Sequence, residues 1–251
     1  MRQAMIFAAG LGTRLKPLTD TMPKALVPLA GKPLLQWQVE KLRDAGIKDI
    51  VVNVHHFPDQ IIETIQTNKG WGCHIAISDE RDALLDTGGG LRKAKDLLLA
   101  GGTNEPILAC NVDILSNIDI KALVASYDPT TMGALVVSER RTQRHLLFDH
   151  SLVLRGWVNI ATGEIKPPIV GYQLSKHKAL AFSGMQVLNP VIFDKMDRVV
   201  ADKGDKFSLI DLYLSLCETE RFQAYVPADY RMMDVGKIDQ IAEAEAFAES
   251  L

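Results

Sequence analysis

Two glycines and two cations stand close together near the start of the chain, in Phe7-Ala-Ala-Gly-Leu-Gly-Thr-Arg-Leu-Lys-Pro-Leu-Thr-Asp-Thr-Met-Pro-Lys-Ala-Leu-Val-Pro28. Gly10 and Gly12 permit positive φ and a close approach of the backbone, so successive N–H groups can converge on an anion. Arg14 and Lys24 add positive charge. Pro17, Pro23 and Pro28 are excluded from helix interiors and central strands, which makes the segment an ordered, semi-rigid loop. A stiff cationic loop suits triphosphate chemistry. Gly-x-Gly alone equally describes a tight strand-to-helix turn with solvated Arg14 and Lys24. A P-loop needs G-x-x-x-x-G-K-[ST], which is absent, and a dinucleotide turn needs a third Gly or Ala where Leu15 stands.

One acid distant from this loop is a candidate to share a cation with it. Asp113 ends the apolar run that begins at Pro106, and a carboxylate at a buried strand end is desolvated unless a cation joins it. Its other reading is a cap for the segment that follows. Asp234, in Arg231-Met-Met-Asp-Val-Gly236, reads as a cap for the terminal helix, although Val235 and Gly236 make a cap awkward. A second glycine cluster, Gly88-Gly-Gly90, exceeds what a helix cap requires. A flat ligand approaching the backbone is one cause, and a flexible helix start, capped by Asp86 or Thr87, is the other.

The elements that must position these residues follow from periodicity. Ala4 to Phe7 reads as a strand, Pro33 to Ala45 as a helix closed by Gly46, Asp49 to Val54 as a buried parallel strand, Asp59 to Ile65 as a helix and His74 to Ser78 as a strand. This βαβα rhythm predicts an α/β fold, doubly wound around a mostly parallel, mixed sheet. His55 and His56 close the second strand and read as local hydrogen-bonding groups or substrate contacts. The glycine cluster opens a helix to about Leu99. Beyond Thr131 the pattern changes: Met132 to Ser138 is a strand, Glu139 to Arg144 a charge run, Leu146 to Ile160 short strands, and Ala181 to Leu188 a strand with an interior glycine. Pro190 to Met196, Ser208 to Leu216 and Ile238 to Phe247 read as helices, and Phe222 to Pro227 as a strand.

At 251 residues and 47% hydrophobic, the chain can bury a substantial core. A net charge of −3 gives no basic footprint for a nucleic acid polymer. Three cysteines without ligand spacing suggest neither a disulfide framework nor a zinc site. No apolar run approaches the roughly 20 residues of a membrane-spanning helix, and no secretory h-region opens the chain. A cytoplasmic protein without an obligatory protein partner is expected.

Gly-x-Gly-Thr-Arg-Leu-x-Pro-x-Thr followed by Pro-Lys-x-x-x-Pro resembles the signature of the sugar-1-phosphate nucleotidyltransferases. The resemblance implies a Rossmann-like nucleotide-diphospho-sugar transferase fold over residues 1–251. Residues 1–130 would form a nucleotide-binding half and 131–251 a sugar-phosphate-binding half. It assigns Ala9, Gly10, Gly12, Thr13, Arg14, Gly88 and Gly89 to the nucleoside triphosphate. Lys24, Asn111, Lys166, Ser183 and Gly184 go to the sugar 1-phosphate, and Asp113 and Asp234 to Mg²⁺. Arg14 and Lys24 are the catalytic cations. Glu164-Ile-Lys-Pro167 is similar to the family's Glu-Lys-Pro element but carries the inserted Ile165. Arg140, Arg141 and Arg144 read as a solvated loop, and the resemblance implies that one reaches the phosphate. With no repeat extension following, a stand-alone enzyme is expected. The Thr-Gly-Gly-Gly loop and Phe-Ser-Gly strand look most like the N-acetylmuramate-1-phosphate uridylyltransferases, which use UTP. Mannose- and heptose-1-phosphate guanylyltransferases share nearly all these features, the region 139–170 being where sugar choice is made. A GT-A glycosyltransferase or a silent regulatory subunit is the more distant alternative.

Overall fold

A computed structural model describes residues 1, 3–100, 102, 105–167 and 176–251; of the 139–170 region, residues 168–170 lie outside them. The first strand, β1 (Gln3–Phe7), runs into the cationic loop, which is built of three single 3-10 turns. A short hairpin, β2 (Pro28–Leu29) with β3 (Lys32–Pro33), leads into α1 (Leu34–Asp44). There follow β4 (Asp49–Val54), α2 (Pro58–Thr67), β5 (His74–Asp79), α3 (Asp86–Lys93), α4 (Lys95–Leu99), β6 (Ile107–Asn111), β7 (Ile114–Ser116) and α5 (Ile120–Ser126). The rest comprises β8 (Gly133–Ser138), β9 (Arg144–Phe148), β10 (Leu154–Asn159), β11 (Glu164–Lys166), β12 (Lys178–Leu188), α6 (Ile192–Lys203), α7 (Leu209–Leu216), β13 (Phe222–Tyr225), β14 (Met232–Asp234) and α8 (Ile241–Glu249).

The main sheet has the order β11-β10-β9-β12-β6-β1-β4-β5, with β8 attached to β12 and β13 to β8. β5, β4, β1 and β6 are all parallel, and β12 enters antiparallel between β6 and the later strands. The sheet is therefore doubly wound, mixed and Rossmann-like, as expected. Its two faces can be read from single strands: Ala4 and Ile6 of β1 pack into one core cluster while Met5 and Phe7 pack into the other. Ile107 and Ala109 of β6 alternate with Leu108 and Cys110 in the same way. The two-residue period of a strand carries this, and each fully buried Leu or Ile contributes about 1.5–3 kcal/mol. The one face is covered by α1, α5 and α8 and the other by α3, α4, α6 and α7.

Helix boundaries follow local chemistry. Ser208 caps α7 in a capping box with Asp211, and Asp119 caps α5 by accepting from the Ala122 N–H at 3.0 Å. α6 continues to Lys203, well past the expected Met196, and stops at Gly204 with φ 75°. Two short pairings escaped the periodicity because two or three residues carry no period: the β2/β3 hairpin, and β14 against β7. The second of these builds the site.

Candidate active site

β1 and β6 lie side by side, Phe7 paired with Asn111, and the chain crosses from one flank of β1 to the other between β5 and β6. Their carboxyl ends form the switch point at which open α/β sheets bind ligands. A cleft of about 470 Å³ opens there. Ala9, Gly10, Gly12, Thr13, Arg14 and Lys24 line one side, and Asn111 and Asp113 line the floor. Gly12 sits at φ 64°, and a Cβ on it would fall 2.8 Å from the Thr19 methyl and 3.0 Å from the Lys24 Cβ. The Thr19 hydroxyl donates to the Gly12 carbonyl at 2.9 Å, closing the loop on itself. The loop is thus packed as well as proline-stiffened.

Lys24 is 9% exposed and forms an ion pair with Asp113, 89 residues further on. Asp234 is brought to the same place by the β14/β7 pairing, which registers it on Ile114, while the Val235 N–H donates to the Asp113 carbonyl at 2.8 Å. Gly236 explains the Asp-x-Gly spacing. A Cβ there would lie 2.7 Å from Asp234 Oδ1 and 2.8 Å from an Arg14 guanidinium nitrogen. Arg14, Lys24, Asp113 and Asp234 therefore converge.

The electrostatics are unbalanced in one respect. Burial, and then the nearby Asp113 carboxylate, push the Asp234 carboxyl above the usual Asp range, against the opposing pull of Lys24, Arg14 and Arg140. Its Oδ1 is buried and accepts no hydrogen bond among the described residues. Two neighbouring carboxylates, one with an orphaned oxygen, fit a small hard cation that takes its remaining ligands from phosphate and water. No cluster of three or more His, Cys, Asp or Glu suited to a metal occurs among the described residues, so the protein itself supplies no complete cage.

Other expected residues fall in different places. Gly184, at φ 68°, sits in the β12 bulge, where a Cβ would meet Asn111 Nδ2 at 2.9 Å; Ser183 beside it is fully buried. Arg140 donates to the Phe182 carbonyl at 2.8 Å and lies close enough to act on Asp234, whereas Arg141 is exposed and Arg144 opens β9. His55 and His56 bond locally, to the Glu80 carbonyl at 2.7 Å and the Thr19 carbonyl at 3.1 Å.

Two expectations need correction. Gly88 and Gly89 do not offer their backbone to the cleft: they lie buried inside α3, and both N–H groups donate to the Phe207 carbonyl, at 2.9 and 3.1 Å. Their missing side chains are explained by packing, since a Cβ would meet the Phe207 ring at 2.4 Å and the Asp205 carbonyl oxygen at 2.1 Å. Leu84, Asp86 and Thr87 line the cleft instead. Lys166 stands on the edge strand β11, paired with Glu164 at 2.8 Å and over the Trp157 ring at 5.5 Å. Three strand steps separate β11 from β12, roughly 14 Å, and Lys166 is not brought to the cleft.

Two residues were missed by motif reading. Asn53 of β4 lines the cleft and ties it together, accepting from the Ala8 N–H at 2.7 Å and donating to the fully buried Glu80 at 2.7 Å. Burial raises the pKa of that Glu80 carboxyl, which also accepts from the Leu85 N–H. Lys206 was missed because it belongs to no motif; it also lines the cleft.

Residues 3–145 match the nucleotidyl transferase family. N-acetylmuramate alpha-1-phosphate uridylyltransferase of Caulobacter vibrioides is 33% identical over 254 residues, covering 97% of this chain and 95% of its own. The enzyme of the same description from Neisseria meningitidis serogroup B is 32% identical over 248 residues, covering 98% of each. The solved structure of HddC from Yersinia pseudotuberculosis, complexed with GMP-PN, superposes with a TM-score of 0.76 over 99% of this chain and 100% of that one, at 23% identity. With the match spanning more than half of the sequence and relatives alike along nearly all of it, the chain belongs to the nucleotidyl transferase family.

Proposed function

We propose that the chain transfers a nucleoside monophosphate from a nucleoside triphosphate to a sugar 1-phosphate, releasing pyrophosphate and forming a nucleotide-sugar. UTP and N-acetylmuramate 1-phosphate are the favoured pair, because the two relatives matched over nearly their full length carry that activity in their names. The observation that carries the reading is the meeting of Lys24, Asp113, Asp234 and Arg14 at the carboxyl ends of β1 and β6. Residues 1–130 contribute the loop and the floor, and 131–251 contribute Asp234 and the bulge with Ser183 and Gly184.

A sugar-1-phosphate oxygen attacks the α-phosphorus in line, one P–O bond forming as the bond to the β-phosphate oxygen breaks. Phosphoryl chemistry of this kind needs positioning and charge stabilisation more than a protein nucleophile. Arg14 and the amides of Gly10 to Thr13 hold the leaving β- and γ-phosphates. Lys24 bridges the α-phosphate and the incoming sugar phosphate, where negative charge accumulates in the transition state. Asp113 fixes the Lys24 ammonium before substrate arrives. Asn111, held against Gly184 of the bulge that also carries Ser183, presents its amide to the sugar side. Asp113 and Asp234 would hold Mg²⁺, which when bound neutralises phosphate charge.

Pyrophosphate release tests this directly, with UTP, GTP, ATP, CTP and dTTP screened against N-acetylmuramate, mannose, heptose and glucose 1-phosphates in Mg²⁺. The expected result is highest kcat/KM for UTP with N-acetylmuramate 1-phosphate. A preference for GTP with mannose or heptose 1-phosphate would reassign the substrate. Consumption of finished nucleotide-sugars without pyrophosphate release would replace the reading by glycosyl transfer.

A further inference from the structure

Gly88 and Gly89 of α3 and the segment between α6 and α7 are built for one another. The Gly88 and Gly89 N–H groups donate to the Phe207 carbonyl, the Phe207 N–H donates to the Leu85 carbonyl at 3.3 Å, and the Leu209 N–H donates to Thr87 Oγ1 at 3.0 Å. Phe207 is buried, and any side chain at position 88 or 89 would drive into its ring or into the Asp205 carbonyl. The Asp205 carboxylate is further held by Arg92 at 3.1 Å. Residues 205 and 207 are thus both pinned to α3, and Gly204, at φ 75°, turns the chain into position. Between two fixed neighbours stands Lys206, exposed, lining the cleft with Leu84, Asp86 and Thr87, and with no ion-pair or hydrogen-bond partner among the described residues.

A lysine left without a partner yet anchored on both sides at the mouth of a cleft is placed for an incoming anion. Its backbone is ordered before the ligand arrives, so only side-chain freedom is lost on binding. We propose that Lys206 is a nucleotide-binding residue: a third cation, delivered by the second half of the chain across α3, that grips the polyphosphate of the nucleoside triphosphate. Of the strap from Gly204 to Phe207 it is Lys206 that lines the cleft, and Gly88 and Gly89 leave the room in which the strap is seated. This rests on the cleft being the triphosphate site proposed above.

Direct titration with Mg-UTP and steady-state pyrophosphate release separate the two ideas. Lys206→Gln should weaken Mg-UTP binding about tenfold, the size of a lost charge-assisted contact. The KM for UTP should rise in parallel, with the KM for the sugar 1-phosphate and the melting temperature unchanged. Lys206→Arg should restore most of the affinity, and the affinity of Lys206→Gln should fall less steeply with added salt than that of the wild type. Unchanged Mg-UTP affinity in Lys206→Gln overturns the inference, as does an equal rise in both KM values. A wild type that binds Mg-UTP in a Lys206-dependent way, yet transfers to no sugar 1-phosphate, supports the inference and refutes the transferase reading.

Discussion

The first 130 residues and the remainder contribute to the same cleft by different means. In the first part, the residues that line it are neighbours in sequence or sit at the ends of adjacent parallel strands: Gly10 to Arg14 after β1, Asn111 and Asp113 after β6. In the second part each contribution is a single residue carried in by a long-range pairing. β14 against β7 delivers Asp234, the strap on α3 delivers Lys206, and the β12 bulge brings Gly184 against Asn111. Long-range hydrogen bonds and packing fix where these three residues arrive. Changes in the first part should therefore act on chemistry at little structural expense, while changes in the second should act through placement.

The largest effect expected from this contrast is that of Lys24→Ala, which removes a charge from a contiguous loop. Its kcat should fall by about a hundredfold or more, comparable to other lost transition-state contacts, with folding intact by circular dichroism. Wild-type turnover would break the assignment of the loop. Asp234→Asn sharpens the second half of the contrast, because its effects on activity and stability have opposite signs. Loss of a metal-holding carboxylate should lower kcat/KM by roughly tenfold or more. The metal-free protein should nevertheless become more stable. Burial and Asp113 raise the folded-state pKa of Asp234, so the native state binds more protons than the unfolded state as pH rises from the ordinary Asp value to the raised one. Stability is lost across that window, and chemical denaturation of Asp234→Asn at several pH values should show that loss abolished. Equal pH dependence in the variant and the wild type would contradict the electrostatic account.

Gly89→Ala tests placement. A Cβ 2.1 Å from the Asp205 carbonyl oxygen must displace the strap, at about 1–3 kcal/mol of overpacking. Urea denaturation should register the loss. The KM for UTP should rise with it if the strap carries Lys206. The smallest effect belongs to Lys166→Ala. Its ion pair with Glu164 is half exposed and contributes at most about 1 kcal/mol, so both KM values and kcat should stay within twofold. A large fall in kcat would show that the edge strand reaches the sugar phosphate after all.

What could be read in the sequence follows the same division. Among the parallel strands Asp49–Val54 announced itself as a β-branched run and is bounded as periodicity places it. The cationic loop was readable because its glycines, prolines and charges are contiguous. Asp113 and Asp234 were found from short motifs, but their proximity depends on β14, three residues too short to show a period. The glycine triplet was conspicuous and its cause was hidden: glycine signals a close approach without saying whether ligand or protein makes it, and here Phe207 meets Gly88, Asp205 meets Gly89, and Glu80 and Asn53 meet Gly90. Lys166 lay in a motif displaced by one residue. In a strand such a slip turns side chains to the other face, and the structure leaves this lysine with Glu164 and Trp157. Asn53 and Lys206 carried no local signal at all.

The central claim is that Asp113 and Asp234 hold one metal ion with the triphosphate in the cleft. Calorimetric titration of UTP with and without Mg²⁺ tests it most directly, in the wild type and in Asp113→Asn and Asp234→Asn. Mg²⁺ should strengthen UTP binding in the wild type by at least about tenfold, and that enhancement should vanish in either variant. Enhancement that survives in both variants would place the metal elsewhere and contradict the account.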